Sequence, residues 1–420
     1  MNLFNNPLFV RLFAANFASQ LGTVVGNMAF AFYLLDRFGS RPYYTTLAEL
    51  MYALPTLVVF LFVGVLADRL DRKRIAANSD WIRAGLTALL LVTLHYGWIA
   101  AAFALLFLRS AVSKFFSPAE AGLLQGSMDK EQYTQAAGLN QTVMGLFMMF
   151  GMGLGSLAYQ HLGIEGAVII DGVSFLVSGA LIASCRFVPE VRLPNGKTSL
   201  RSLRFRQVTA DFAEGYRYIR RSKLLLALLT GFLLFGFING VFSVLPIFTM
   251  KYKLSPEHYQ QYSALITIFL GIGFLVGSAV GSLLIRKLTR AGVLVGGLLL
   301  SGMLTIVLGM MSEMWVYLPL VLLMGTIMAP VNVVIGGWIP ELVDPSSMGR
   351  VNAWNDPLLM LGQSLSLAIV AIVFPNLVGV NALYAVVGMM ILTISVFYGV
   401  TLPALTRKPP QPSATADRRL

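Results

Sequence analysis

About a dozen apolar stretches of 19 to 26 residues, separated by mostly short polar connections, make up nearly all of the chain. Roughly 20 apolar residues in a helix cross the 30 Å or so of hydrocarbon in a bilayer. Only helices and closed barrels satisfy every backbone N–H and C=O there, and runs this long are helices. The pattern predicts an all-α integral membrane protein. Composition agrees, with 57% hydrophobic and 12% charged residues, against roughly 25% charged in a soluble domain. The net charge of +12 would point to nucleic acid in a soluble protein. Here the basic residues sit in loops, so orientation in a membrane accounts for them and no nucleic-acid partner is expected. A single cysteine, Cys185, excludes an internal disulfide and leaves no metal-ligand spacing. No phosphate-binding glycine loop is present, so neither ATP hydrolysis nor any cofactor or metal is expected. Met1 to Phe13 lack the basic-then-apolar pattern of a cleaved signal peptide.

Twelve spans are predicted near residues 12–35, 44–67, 76–94, 99–118, 136–160, 166–185, 225–249, 260–285, 291–311, 315–338, 353–374 and 380–402. With both termini cytoplasmic, the outer loops hold only Arg37, Arg41, Lys251 and Lys253 of the 31 Lys and Arg, which fixes the orientation by the positive-inside rule. The expected location is the cytoplasmic (inner) cell membrane. The organisation reads as an N-terminal six-helix bundle (1–185), a basic cytoplasmic linker (186–223), a C-terminal six-helix bundle (224–405) and a disordered tail (406–420). Within the linker, Asp211 to Arg221 has helical spacing and predicts a helix at the anionic membrane surface. A shift of 212 residues lays Ser117-Pro118-Ala119 over Ala329-Pro330-Val331 and Gly138-Leu139-Asn140 over Arg350-Val351-Asn352. That repeat suggests two parallel halves related by a pseudo-two-fold axis along the membrane normal.

One short loop is distinctive: Gly64-Val65-Leu66-Ala67-Asp68-Arg69-Leu70-Asp71-Arg72-Lys73-Arg74. It resembles the loop between helices two and three of major facilitator superfamily transporters, with Asp71 standing where the family often has Gly. Leu108-Arg109-Ser110, Phe116-Ser117-Pro118-Ala119, Ile170-Asp171-Gly172-Val173-Ser174-Phe175-Leu176, Asp211 to Ile219 and Met348-Gly349-Arg350-Val351-Asn352 resemble the drug-exporting branch that includes macrolide and enterobactin-type siderophore exporters. The Ser117 region is also similar to lysophospholipid transporters. The resemblance implies a gate built on Gly64, Asp68, Arg69, Arg72 and Lys73. Asp68 would face the N-terminus of helix eleven near Gly349 to Ala353, where unpaired N–H groups attract an anion. The helix-two dipole itself disfavours an acid at that end. The basic residues can pair with inner acids such as Glu120 or Asp129, or serve orientation alone.

Embedded ionisable groups are the coupling candidates, because charge within a span is costly: Asp171, Glu49, Arg109, Asp80 and Asp356. Arg109, near the middle of helix four, needs an anion, and Asp171, Glu49 and Asp80 are the options. Asp80 and Arg83 are spaced to pair within one helix. On helix one, Asn16, Ser19, Gln20, Thr23 and Asn27 share a stripe that either lines a central cavity or bonds neighbouring helices. Further cavity candidates are Ser113, Met148, Asn239, Ser243, Asn332 and Gln363. Met144, Met148 and Met152 lie on one side of helix five, as an adaptable surface or as packing.

The expectation is a secondary exporter of lipophilic drug-like or natural-product molecules. It would exchange them for protons by alternating access, act as a monomer and contact lipid. A siderophore or lysophospholipid exporter is the alternative. A non-transporting receptor would need a sensing domain, and no loop is long enough for one. No catalytic cluster suggests an enzyme.

Overall fold

The computed structural model describes residues 3–128, 130–193, 216–342 and 348–406, while side chains in parts of these stretches, including 64–69, 280–287, 336–342 and 348–353, lie outside the described set. Every long element is a helix: α1 (Pro7–Arg37), α2 (Tyr43–Arg69), α3 (Arg72–His95) and α4 (Ile99–Gly126) come first. The helix Lys130–Ser184 bends at Gly163, whose φ of 67° suits a residue without Cβ; its arms are α5 (130–162) and α6 (164–184). Then follow α7 (Lys223–Thr249), α8 (Tyr259–Lys287), α9 (Arg290–Met310), α10 (Met314–Leu342), α11 (Met348–Val373) and α12 (Val380–Thr406). Nine helical segments among the described residues are long and apolar enough to cross a membrane. The helices overrun several of the predicted spans because a helix does not stop where hydrocarbon ends; it stops at a cap. Asn6 accepts from the Leu8 N–H at 3.0 Å with Pro7 at the first position. Ser222 and Thr289 likewise cap α7 and α9.

α1 packs on the bent α5–α6 helix, α3 on α4, and α2 on α4; α8 packs on α10, α9 on α12, and α7 on α11. Between these groups α2 meets α11 and α5 meets α8. Missing side chains permit the closest crossings: a Cβ at Gly236 of α7 would collide with the Leu359 carbonyl, and one at Gly362 of α11 with that of Leu233. One face of the bundle joins the end of α1 to the start of α8, and we call it the Asp36 face. The opposite face carries the α2–α3 and α6 ends, and we call it the Asp71 face. Of the predicted surface helix, 216–221 is described and helical. Its Ile219 is buried in the apolar core of α7–α12, and Tyr216 lies 5.5 Å from Trp354. That end of the linker is therefore docked on protein.

Candidate functional site

Four helices bring four charges together. Arg109 of α4 forms an ion pair with Asp171 of α6. Its guanidinium also donates to Thr87 Oγ1 of α3 at 3.2 Å and Asn27 Oδ1 of α1 at 2.9 Å. Arg83 of α3 pairs with Asp80 at 3.0 Å and donates to Ser19 Oγ at 3.0 Å and Thr23 Oγ1 at 2.7 Å. Ser19 Oγ in turn donates to Asp80. The Phe175 ring separates the two systems, with Arg83 3.8 Å and Arg109 5.9 Å from its centroid. Asp80 and Asp171 are fully buried, Arg83 and Arg109 nearly so. Two acids and two arginines make the set neutral, as a low-dielectric interior requires. One oxygen of each acid, Asp80 Oδ2 and Asp171 Oδ1, has no hydrogen-bond partner among the described residues. Glycine makes the site possible: a Cβ at Gly26 would meet the Asp171 carboxylate at 2.8 Å, and one at Gly22 would strike Ser174.

Of the three anions offered to Arg109 by sequence, the structure selects Asp171; Asp80 serves Arg83, and Glu49 stands apart. The helix-one stripe divides. Ser19 and Thr23 turn toward Arg83, Asn27 toward Arg109, while Asn16 and Gln20 lie partly exposed between the α3-facing and α5-facing sides. On α2, Glu49, Tyr52 and Thr56 share a face directed away from the exposed Val58. Glu49 has no hydrogen bond or ion pair among the described residues, and the Tyr52 hydroxyl and Thr56 Oγ1 are buried without partners. On α11, Asp356, Met360 and Gln363 lie opposite the exposed Leu361, Leu365 and Ile372. On α5, Met148 is 68% exposed yet opposite Leu146, Phe150 and Leu157, whereas Met152 is buried in the core. Met144 is exposed as well. Asn239 and Asn332 are exposed, Ser243 donates to the Gly240 carbonyl and Ser113 to that of Ser110.

Sequence reading passed over Lys114, a second cation in α4, on which the charge of Asp356 of α11 acts. The signal was available in a lone lysine within an apolar run, but Arg109 drew the attention. Thr87 and Phe175 were missed too, since neither type marks a site by itself.

The side chains of Gly64, Asp68 and Arg69 lie outside the described residues, as does Asp129, so the gate contact is not described. Around them, Asp71 is the N-cap of α3, accepting from the Arg74 N–H at 3.2 Å, and pairs with Arg192 from the start of the linker. Burial pushes the Asp71 carboxyl up, but the hydrogen bonds and charges of Arg192 and Arg74 outweigh it and hold it below the usual range. Arg72 donates to the Gly122 carbonyl at 3.3 Å and Lys73 to that of Ala183 at 2.7 Å. Arg11 reaches the Ser184 carbonyl at 3.3 Å. Rather than one of the acids expected, Lys73 finds the negative C-terminal end of α6, and Arg11 joins it there.

The Major Facilitator Superfamily model matches residues 12–367. The uncharacterized MFS-type transporter YkuC of Bacillus subtilis (strain 168) is 51% identical over 96% of this chain and 94% of its own length. Macrolide efflux protein A of Streptococcus pyogenes is 26% identical over 92% and 94%. Among solved structures, the POT family transporter PepTSo superposes with a TM-score of 0.74 over 96% of this chain and 99% of its own, at 13% identity. That last likeness speaks for the fold alone.

Proposed function

The chain belongs to the Major Facilitator Superfamily, a multi-pass membrane transporter and not an enzyme, and we propose that it exports lipophilic drug-like or natural-product molecules in exchange for protons. The observation that carries this reading is the buried Arg109–Asp171 pair, in which one Asp171 oxygen has no partner among the described residues. Similarity to macrolide efflux protein A favours export of such molecules over siderophore or lysophospholipid export.

The cycle we propose alternates access between two six-helix halves, α1–α6 and α7–α12, as twelve spans in a monomer, with both termini and the Asp71 face cytoplasmic. A proton on Asp171 takes away the counter-charge of Arg109, whereas a proton on Glu49 removes an unpaired charge from its span; either shifts the balance between states. Asn16, Gln20, Met148, Asp356 and Gln363 contact substrate. Gly64, Asp68 and Arg69 close the cytoplasmic side against α11. Inverted membrane vesicles with an imposed proton gradient test this. A panel of macrolides, lipophilic cations, siderophores and lysophospholipids should show gradient-driven uptake of the first two classes, abolished by a protonophore. Uptake indifferent to the gradient, or confined to the last two classes, overturns the reading.

A further inference from the structure

On the Asp36 face the two groups of helices are joined by a cluster that none of the coupling or gate residues enters. Asp36 sits in the last turn of α1, where the helix dipole disfavours an acid, so its charge serves another group. It accepts from the Tyr259 hydroxyl at 2.6 Å and from Gln260 Nε2 at 2.9 Å, both in the first turn of α8. Lys251 lies 3.8 Å away and stacks over the Tyr259 ring at 4.1 Å. Gln260 accepts in turn from Gln160 of α5 at 3.0 Å, and the Tyr252 hydroxyl donates to the Gly39 carbonyl at 2.8 Å. Local sequence delivers these partners: α7 closes in a π turn over Met250–Leu254, which presents Lys251 and Tyr252 to the α1–α2 connection. Below the polar rim, Phe32 lies between Tyr159 and Tyr259.

We infer that Asp36 is the keystone of a breakable latch that holds the Asp36 face shut, and that the transport cycle must release it. The contacts join α1 and α5 to α7 and α8, two groups otherwise met by few helix pairs. They are part-exposed hydrogen bonds and one loose ion pair, and such bonds each contribute modestly and exchange readily with water. Asp36 gathers several donors at once, so removing its charge weakens them together. Arg37, its neighbour, instead donates to Tyr33 of its own helix at 2.8 Å and takes no part.

The inference rests on the alternating-access reading, and its test needs neither substrate nor gradient. In a Cys185→Ser background, spin labels at Arg41→Cys and Glu257→Cys report the separation across the face in nanodiscs. Asp36→Asn should raise the long-distance population about tenfold, and Tyr259→Phe should raise it less. Arg37→Gln should leave it unchanged. The exchange Asp36→Lys with Lys251→Asp should return part of the short-distance population. Unchanged distributions in Asp36→Asn and Tyr259→Phe, with both proteins folded and inserted, overturn the latch. A shifted distribution in a protein that shows no gradient-driven uptake would leave the latch standing and break the antiport reading.

Discussion

The first six helices and the last six bury different chemistry. α1–α6 enclose Asp80, Arg83, Arg109, Glu120 and Asp171. Among the described residues, the buried polar side chains of α7–α12 are hydroxyls: Thr249, Ser263, Ser301, Thr305, Ser364, Ser366 and Ser395, with Tyr259, Tyr317, Tyr384 and Tyr398. Thr249, Ser301, Thr305 and Ser366 answer within their own helix, as when Thr249 donates to the Leu245 carbonyl at 2.6 Å and Thr305 to that of Ser301 at 2.7 Å, while Ser395 and Tyr398 donate to carbonyls of neighbouring helices. Tyr384 ties Thr249 to Tyr317. Hydroxyls satisfied by their own helix keep one state at every physiological pH. Among the described residues the first set alone buries charge, which the proposed proton exchange would act on. If transport is coupled to protons as proposed, the contrast puts the titrating part in one set of helices and a steady counterpart in the other.

Neutralising charge in the first set should do most. Asp171→Asn leaves Arg109 buried without its counter-ion, a loss of about 3–5 kcal/mol, and should abolish gradient-driven transport; Asp171→Asn with Arg109→Gln should recover much of the stability and none of the transport. Thermal unfolding in detergent and vesicle uptake read the two effects separately. If Asp171→Asn pumps with normal pH dependence, the contrast between the sets loses its functional meaning. Glu49→Gln, which breaks no bond, should change stability by under about 1 kcal/mol while altering the pH profile of uptake. In the second set the sensitive points are steric: Gly236→Leu forces α7 from α11 and should cost about 1–3 kcal/mol, seen as a lower unfolding temperature. Tyr384→Phe should cost about 1 kcal/mol and leave the pH profile as it was; a shifted profile would show that the second set titrates after all.

The smallest effect lies between the sets, where Asp71 meets the linker. Its carboxyl is held low, so its contribution is present above the unfolded value of about 3.9 and is lost as pH falls through the lower folded value. Asp71→Asn keeps the α3 cap and should cost under about 1 kcal/mol at pH 7. The difference from the parent should close below about pH 4, followed by unfolding at both values.

The fold was legible because lipid admits few solutions: run length gave the helices, and the scarcity of charge within runs gave Asp171, Arg109 and the Asp80–Arg83 pair. What stayed hidden depended on neighbours that periodicity does not name. A stripe of period 3.6 cannot say that Ser19 and Thr23 turn toward Arg83 while Asn16 and Gln20 do not. Asp36 and Lys251 looked like any loop charges, since a residue at a helix end reads the same whether it meets water or another helix. Lys73 was expected to pair with an inner acid or to orient the chain, and its bond to an α6 carbonyl, beside that of Arg11, adds a capping role that a charge count cannot contain.

Gly26 gives α1 no side chain where it passes the Asp171 carboxylate. The main chain of α1 is therefore the lid over that acid, which is fully buried beneath it. Under the proposed exchange, a proton bound there is held back by backbone and not by a side chain, so its release needs a helix to shift and not a rotamer to flip, a motion of microseconds to milliseconds. A bulkier residue at position 26 should pry that lid open and let protons leak across without substrate.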